Sequence, residues 1–283
     1  MRSAHGRLAR PPGTTACVLN IIDWPQLQTN TSVIEAVKQS ADSLLKSASA
    51  KLSKVGLQAT TKVLEDHPRT AVAEFAEEWS ADLVLVGSHG ASGLVRFLLG
   101  SVAQATLRRS PCSVEIVRKS APDSTIATAA MRILVATDGS DCATAAVRSV
   151  AQRPWPEGSQ TGVISVIPFV IPPGEMISPT LGPIYASPDV VESLQKEARG
   201  RAEEAVSRAW QVLSEGRVKP FTTELLPIGD AREVILDQAK DWATDLIVVG
   251  SHGYHGIDRL TLGSVSESVA MHAHCSVEVI RGS

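Results

Sequence analysis

Short apolar runs alternate with longer amphipathic segments along the second half of the chain. The runs ILVA at 133–136 and LIVV at 246–249 are continuous and rich in Val, Ile and Leu, which is typical of strands buried on both faces of a parallel sheet. Between residues 190 and 213, apolar residues recur every three or four positions, and this spacing predicts a helix with one buried face. The alternation predicts an α/β fold with helices on both faces of a parallel sheet.

The same pattern assigns the other elements of this half. It predicts strands at 132–137, 161–168, 221–226, 245–249 and 276–281, with helices at 141–152, 190–213, 231–242 and from Gly263. Residues 170–189 are rich in Pro and Gly and predict a long loop. In open parallel sheets, ligands bind beyond the carboxyl ends of the strands, where the strand order reverses. The residues that follow Thr137 and Val249 are therefore candidates for a ligand site.

A fifteen-residue loop occurs twice in the chain. GSHGASGLVRFLLGS at 87–101 is matched by GSHGYHGIDRLTLGS at 250–264, and each copy lies between a β-branched run and a helix-like segment. The match extends over the flanking elements, so that Trp79 corresponds to Trp242 and Cys112 to Cys275. The chain is therefore an internal repeat of one structural unit.

The length of the chain agrees with two such units. Its 283 residues suffice for two domains of about 120 to 150 residues, each with its own core. Residues 119–130 are rich in Ser, Thr and Ala and carry few charges, which is typical of a linker. We expect a first domain at 1–119, a linker at 120–130 and a second domain at 131–283.

The repeated loop has the composition of a phosphate-binding loop. Its glycines have no Cβ, so the backbone can approach an anion closely. A helix that begins near Ser264, or near Ser101 in the first copy, adds unpaired amides and a positive dipole end, with the hydroxyl as cap or phosphate donor. The alternative is an ordinary turn between a strand and a helix. Two matching copies in equivalent places favour the anion site.

Asp138 is the candidate acid beside this loop. It follows the first strand of the second domain and precedes Gly139-Ser140. A carboxylate in this position can accept hydrogen bonds from the amino group of a base or from a ribose hydroxyl. The alternative is that Asp138 caps the following helix.

These residues carry a resemblance to a known family. The strand ending in ATDGS at 136–140, the loop pattern G-2x-G-9x-G-Ser and the closing Cys-Ser-Val strand resemble the universal stress protein family in its tandem two-domain form. The resemblance implies two tandem open parallel five-stranded sheets with strand order 3-2-1-4-5 and helices on both faces. It also implies ATP as the ligand, because members with this loop usually bind ATP.

The resemblance also implies particular contacts. It assigns the adenine to Asp138 and to the backbone near Ile167. The residues it assigns to ribose and phosphates are Gly250, His252, Gly253, Gly263, Ser264, Val265 and Ser266 in the second domain, matched in the first by Gly87, His89, Gly90, Gly100, Ser101 and Val102. Gln104 stands where the second copy has Glu267, so the helix after the first loop is less similar.

The first domain departs from the family pattern at its beginning. Arg2-Ser3 and ARPPG at 9–13 resemble Arg148-Ser149 and QRPWPEG at 152–158, which puts Met1 inside the first helix. The first strand and its Asp then have no counterpart, and losing this central strand leaves buried ladder groups unpaired. Either Met1 is an internal methionine of a longer chain, which we favour, or the domain is a degenerate copy; the mass of the natively expressed protein discriminates between the two. We expect nucleotide binding mainly in the second domain.

Catalytic and metal-binding motifs are weak. The loop lacks the Lys of a Walker A sequence, so we assign no catalytic residue, although slow ATP hydrolysis and a Mg²⁺ ion with the nucleotide stay open. One histidine group is His252 and His255 with Asp258, and the other is His272 and His274 with Cys275; neither has zinc-ligand spacing, which favours surface or loop histidines.

Charge and cysteine content limit the binding partners and the cellular compartment that we expect. A net charge of −3 argues against general nucleic-acid binding, and no signal peptide or membrane span is predicted. Four cysteines without a C-x-x-C pair fit free thiols and a cytoplasmic protein. The edge strands CSVEIVR and CSVEVIR are expected to pair antiparallel as an internal dimer of the two domains, with Glu115 and Glu278 on an exposed face. A homodimer stays open.

Three functions are compatible with the sequence, in the following order of preference. We expect an ATP-binding regulatory protein of the stress response whose nucleotide state modulates stability or partner binding. The alternative is a nucleotide-free interaction or chaperone-like module in which the loops are only inherited architecture. A weak ATPase comes third.

Overall fold

The structure is a computed structural model of the 283-residue chain. It describes residues 13–23, 31–89, 99–118, 130–169, 176–178, 182–184, 187–216, 224–254 and 262–282. Outside these residues lie Gly90, His255, Asp258, the helix start predicted at Met1, and all of the predicted linker except Ala130. No helix in the described ranges is both long and apolar enough to cross a membrane.

Helices and strands alternate through both halves. The first half contains β1 (Thr15–Ile22), α1 (Thr31–Lys54), β2 (Gln58–Glu65), α2 (Pro68–Glu78), β3 (Leu83–Gly87), α3 (Ser101–Arg109) and β4 (Ser113–Val117). The second contains β5 (Arg132–Ala136), α4 (Asp141–Gln152), β6 (Gln160–Ile164), β7 (Met176–Ser178), β8 (Gly182–Ile184), α5 (Pro188–Ser214), β9 (Glu224–Leu225), α6 (Ala231–Asp241), β10 (Leu246–Gly250), α7 (Ser264–His272) and β11 (Ser276–Ile280). The helices predicted in the second half all form.

Seven strands make one sheet, in the order β3-β4-β11-β10-β5-β6-β9. Every neighbouring pair is parallel except β4 with β11, where the two halves of the chain meet. The predicted antiparallel pairing of the two edge strands therefore occurs, and it makes one continuous sheet where the sequence suggested two. Strands β1 and β2 form a separate two-stranded parallel sheet.

The long loop predicted at 170–189 contains regular structure. Strands β7 and β8 pair antiparallel within it, with Ile177 opposite Pro183. The sequence did not indicate this hairpin because its strands are only three residues long and are set among prolines and glycines. The prediction of a loop without strands was wrong at these residues.

The repeat seen in the sequence is reproduced in three dimensions. Helices α2 and α6 have equal length, as do α3 and α7, and each matched pair begins at corresponding residues. A residue with positive φ follows α2 and α6 at corresponding places, Ser80 with φ 51° and Ala243 with φ 49°. The two copies therefore share their local backbone geometry, even in an uncommon conformation.

Strand β5 is the centre of the second half. Ile133, Leu134 and Val135 are fully buried, and successive side chains enter opposite faces of the sheet. Ile133 and Val135 belong to a core cluster with residues of α4 and α5, whereas Leu134 belongs to one with residues of α6 and α7. The apolar run of β5 is continuous because helices cover both faces.

At the antiparallel junction, an arginine from each half donates hydrogen bonds to the equivalent helix end in the other half. Arg118 donates to the carbonyls of Ala270 at 2.8 Å and Met271 at 3.0 Å, at the end of α7. The equivalent Arg281 donates to the carbonyls of Leu107 and Arg108, at the end of α3. Burial lowers the pKa of both guanidinium groups. The reciprocal bonds make the junction an internal pseudo-dimer, in which each half caps a helix of the other.

Two carboxylates are buried in this junction, contrary to the exposed face predicted for them. Glu115 is 3% exposed and Glu278 0%, and they lie directly opposite each other in the β4–β11 ladder. Arg153 donates to both carboxylate oxygens of Glu278, one of them at 2.6 Å. Burial lowers the pKa of Arg153, but the bonds and charge of Glu278 outweigh it, so the net shift is upward. The sequence missed this because the arginine lies more than a hundred residues from its partner.

Removing the guanidinium should therefore destabilise the protein strongly. We expect Arg153→Met to lower the free energy of unfolding by about 3 to 5 kcal/mol, because it leaves a buried carboxylate without its cation. Arg201→Met is the matched control, since Arg201 and its partner Glu197 are both exposed; its expected cost is below about 1 kcal/mol. Urea denaturation measures both, and equal effects would contradict a structural role for the buried pair.

Candidate functional site

Three strands end at the same edge of the second-half sheet, and the predicted site residues follow them. Asp138 follows β5, Ile167 follows β6, and Gly250 ends β10. The structure brings Asp138 against the loop after β10: the amide of Tyr254 donates to Asp138 Oδ2 at 3.4 Å. A Cβ on Gly253 would lie 2.3 Å from the same oxygen. A side chain at 253 would therefore displace the Asp138 carboxylate from this position.

Asp138 organises the turn between β5 and α4 without capping the helix. Its Oδ1 accepts from the amide of Ser140 at 2.9 Å and from the Ser140 hydroxyl at 2.6 Å. The N-cap of α4 is Ser140, whose hydroxyl oxygen accepts from the amide of Ala143. Gly139 has φ +85°, which favours glycine. The cap alternative for Asp138 is thus wrong, and Oδ2 keeps acceptor capacity at the sheet edge.

After β6, the backbone N–H and C=O groups of successive residues point alternately toward β9 and toward β5. The amide of Ile167 donates to the carbonyl of Pro227 at 2.8 Å, and its carbonyl accepts from the amide of Gly229 at 3.0 Å. Both groups of Ile167 are therefore used on the β9 side. Because the bonding groups of successive strand residues point to opposite sides, those of Val166 face the β5 side, beyond the end of that strand. The backbone position near Ile167 that faces the site is Val166.

The loop after β10 is packed tightly onto α4. A Cβ on Gly250 would lie 2.6 Å from the carbonyl carbon of Cys142 and 2.7 Å from the amide nitrogen of Ala143. The amide of Gly263 donates to the carbonyl of Ser251 at 2.7 Å, which closes the loop at its base. The glycines at both ends of the loop thus permit close approach of backbone to backbone.

Helix α7 begins at this loop with unpaired amides. Its N-cap is Gly263, which offers no side chain, so the Ser264 hydroxyl is not the cap. The amide of Glu267 is the first to bond back, to the carbonyl of Gly263 at 2.9 Å. The amides of Ser264, Val265 and Ser266 make no hydrogen bond to any described residue. The side chain of Ser266 is engaged, because its hydroxyl donates to the carbonyl of Gly250 at 2.5 Å.

The side chain of His252 is held behind the loop. Its Nδ1 lies 3.0 Å from the Ser251 hydroxyl, and its Nε2 lies 3.5 Å from the thiol of the buried Cys142. The ring therefore anchors the loop to the first turn of α4, and only the backbone of His252 is available along the loop. Cys142 escaped the sequence reasoning because nothing in its local sequence links it to the loop.

Two exposed aromatic residues at this edge were also missed. Tyr254 is 64% exposed, and its hydroxyl would lie 3.1 Å from a Cβ added at Gly139. Phe169 is 72% exposed and lies two residues beyond Ile167. An exposed aromatic residue of the loop, set among glycines and polar residues as Tyr254 is, was the signal available in the sequence.

The first copy of the loop reproduces these hydrogen bonds, but no acidic residue takes the place of Asp138 beside it among the described residues. The amide of Gly100 donates to the carbonyl of Ser88 at 2.8 Å, and α3 starts at Ser101 after Gly100 without a side-chain cap. Val102 is the half-buried second residue of its helix, as Val265 is, whereas Ala103 replaces Ser266 and so cannot make the hydrogen bond that Ser266 makes to Gly250. In the described residues, no strand lies beside β3 where β5 lies beside β10.

Within the part of the chain that the structure describes, no cluster of three His, Cys, Asp or Glu side chains able to hold a metal occurs. All four cysteines are free, and burial raises the pKa of Cys275 to about 12. Cys275 is therefore a packing residue of the core.

Comparison with known proteins gives a consistent assignment. The family model of the universal stress protein family matches residues 4–118 and 130–281. Universal stress protein A homolog 2 of Coxiella burnetii is 40% identical over 98 residues, which span 35% of this chain and 61% of that protein. A universal stress protein of Mycobacterium tuberculosis is 29% identical over 268 residues, which span 92% of this chain and 79% of that protein.

Solved structures show the same fold. The crystal structure of a universal stress protein from Archaeoglobus fulgidus matches 95% of this chain and 86% of its own, with a TM-score of 0.59 and 22% identity. Two shorter universal stress proteins, one in complex with cAMP and one from Arabidopsis thaliana with AMP bound, match 54% and 53% of this chain. Their TM-scores are 0.38 and 0.34.

The two copies of the loop give a matched pair of substitutions. Gly250→Ala places a methyl group within van der Waals overlap of the α4 backbone, and we expect a loss of about 1 to 3 kcal/mol in unfolding free energy. Gly87→Ala meets only the carbonyl oxygen of His89, at 3.4 Å, so its expected change is within about 0.5 kcal/mol. Thermal and urea unfolding of both variants measure the difference. Equal losses would show that Gly250 is not packed against α4.

Proposed function

The chain belongs to the universal stress protein family, and from that premise and the geometry of the sheet edge we propose that it is an ATP-binding regulatory protein. One ATP binds in the second half of the chain, between Asp138 and the start of α7. The observation that carries the proposal is the convergence of a carboxylate, a close-packed glycine loop and an uncapped helix terminus at the carboxyl edge of one parallel sheet.

The adenosine part of ATP fits the side of the site formed by β5 and β6. Asp138 Oδ2 accepts a hydrogen bond from the base or from the ribose, while Oδ1 stays in the turn with Ser140. The amide and carbonyl of Val166 supply one donor and one acceptor for the edge of the adenine. Tyr254 and Phe169 offer exposed rings at the same edge, where a base is sheltered from water by aromatic contact.

The phosphates fit the side formed by the loop and α7. The amides of Ser264, Val265 and Ser266 point out of the first helical turn, and the helix dipole adds positive potential there. The Ser264 side chain is exposed and its hydroxyl is a further donor. Gly250, Gly253 and Gly263 hold the loop close to the bound chain of phosphates, with His252 contributing its backbone. A Mg²⁺ ion bound together with the nucleotide would neutralise part of the phosphate charge.

We propose the same division of the chain as before: a first domain at 1–119, a linker at 120–130 and a second domain at 131–283. The second domain carries strands in the order 3-2-1-4-5 of the family, and no described strand of the first domain takes the place of strand 1. The first loop, with Gly87, Gly90, Gly100 and Ser101, presents a helix terminus but no adenine-side acid. One nucleotide per chain is therefore the expected stoichiometry.

Regulation by nucleotide suits this site better than catalysis. The site pairs backbone amides with phosphate oxygens, but no described side chain is positioned as a base for an attacking water, and the loop has no lysine to stabilise a leaving phosphate. Binding therefore stabilises the loop and the α4–α7 region by mass action, with hydrolysis slow at most. The nucleotide state would then change the stability of this edge of the sheet.

Matched substitutions in the two loops test the proposal. Gly263→Val crowds the His252 backbone, which lies 3.1 Å from the position of the new Cβ, and we expect it to weaken ATP binding at least about a hundredfold. Asp138→Asn removes the charged acceptor and is expected to weaken binding by about tenfold or more. Gly100→Val, the equivalent change in the first loop, is expected to leave the affinity unchanged.

Calorimetric titration of ATP into each purified variant measures these affinities, after nucleotide retained from expression has been removed. Circular dichroism and unfolding confirm that each variant is folded. Unchanged binding in Gly263→Val, or loss of binding in Gly100→Val with the second loop intact, would contradict the proposed site. Absence of binding to the unaltered chain would favour the nucleotide-free interaction module.

A further inference from the structure

A backbone amide of the loop after β10 already occupies the acid of the proposed site. The amide of Tyr254 donates to Asp138 Oδ2 at 3.4 Å, and Gly253 approaches this oxygen so closely that an added Cβ would lie 2.3 Å from it. The other oxygen, Oδ1, accepts two hydrogen bonds from Ser140. Oδ2 is therefore the oxygen that remains for a nucleotide, and the loop contacts that same oxygen.

The side chain of Tyr254 lies across the turn that follows β5. Its hydroxyl lies 3.1 Å from the position of a Cβ added at Gly139, and that position is 3.3 Å from the Cβ of Ala205 in α5. With its amide at Asp138 and its hydroxyl at Gly139, Tyr254 spans the turn from the carboxylate toward α5. The residue is nevertheless 64% exposed, so it can leave this position without opening the core.

The part of the loop that precedes Tyr254 is fixed to α4. Gly250 packs against the backbone of the first turn of α4, and the ring of His252 lies against the thiol of Cys142. Gly253 follows, and it has no Cβ to restrict rotation of the backbone. Rotation at Gly253 therefore moves Tyr254 while the base of the loop stays in place.

The two copies of the loop differ at this residue. Tyr254 in the second copy corresponds to Ala91 in the sequence of the first. Asp138 lies beside the second copy, and among the described residues no acid takes its place beside the first. The glycines and the serine on the phosphate side are common to both copies. The large aromatic residue thus accompanies the acid, on the nucleoside side of the site.

From these contacts we propose that Tyr254 is an internal competitor of the nucleotide: it occupies Asp138 and the adjoining turn in the empty protein and is displaced when ATP binds. The inference rests on the proposed ATP site and adds a means of regulating it. A ribose or base that hydrogen-bonds to Oδ2 lies beyond the end of β5, where the Tyr254 side chain lies, and the two cannot occupy this space together. Once displaced, the ring is free to cover the bound base from the loop side.

Displacement couples the nucleotide to the surface of the protein. The empty protein is a mixture of states with and without the contact between Tyr254 and Asp138, and the state without it admits the nucleoside. A hydrogen bond of this kind changes such an equilibrium by about threefold to tenfold. ATP binding therefore moves an exposed aromatic side chain, so that the surface around Gly139 differs between the empty and the bound protein.

Nuclear magnetic resonance tests the displacement directly. The chain has two tyrosines, Tyr185 and Tyr254, so that isotope-labelled tyrosine in a Tyr185→Phe background leaves one set of ring signals. In the empty protein we expect a nuclear Overhauser contact between the Tyr254 ring and the α protons of Gly139. Saturating ATP, with binding verified by calorimetry in the same background, is expected to abolish this contact.

Stopped-flow kinetics tests the competition. Tyr254→Ala removes the side chain that spans the turn, and we expect the association rate constant for ATP to rise by about threefold or more, because a larger fraction of empty sites is open. Phe169→Ala is the matched control, since Phe169 is exposed at the same edge but follows β6. We expect it to speed dissociation and to leave the association rate constant within about twofold.

Two results would overturn the inference while leaving the ATP site in place. One is a contact between Tyr254 and Gly139 that is absent from the empty protein or persists at saturating ATP. The other is an association rate constant that Tyr254→Ala lowers or leaves unchanged, since Tyr254 would then contact the bound nucleotide without competing with it. A chain that binds no ATP in calorimetry would remove the proposed function and this inference together.

Discussion

An interior strand of a parallel sheet must be hydrogen-bonded along both edges, and the second half of this protein depends on β5 meeting that requirement. β5 joins β6 to β10 and sends alternate side chains into the two core clusters. The helix that follows it covers the glycine at the end of β10 and thereby fixes the direction in which the loop leaves the sheet. The position of Asp138 beside that loop is a direct consequence, because the carboxylate is two residues past the end of the same strand.

The first half shows what the local sequence achieves without that strand. Its loop keeps the same closing hydrogen bonds, and α3 begins at the residue that corresponds to the start of α7. Loop and helix geometry are thus encoded locally, by glycines and by the helix that follows. Burial of the strand and placement of an acid are not local, because both depend on a neighbour in the sheet. The loop and the start of the helix that follows it therefore keep their geometry in the first half, where no described strand takes the place of β5.

Hydrophobic periodicity and the internal repeat were enough to predict much of the fold. The helices of the second half, the starts of α3 and α7, the parallel sheet and the antiparallel junction all followed from apolar spacing, glycine positions and family resemblance. Features that depend on distant partners were not predictable. Glu115 and Glu278 looked like exposed residues of an edge strand, but the junction buries that edge, and Arg153 reaches Glu278 from another helix. The Cys142–His252 contact and the Tyr254 contact with Asp138 arise in the same way, from separate segments meeting at one sheet edge.

The central claim is that only one of two similar loops forms a complete nucleotide site, because only one has β5 and Asp138 beside it. Native mass spectrometry of the intact chain with increasing ATP tests this most directly, since it counts bound nucleotides without assuming where they bind. The account predicts a single saturating addition of one ATP per chain. Two additions of similar affinity would show that the first loop is complete without the strand, and no addition at all would show that the convergence at the sheet edge is inherited architecture alone.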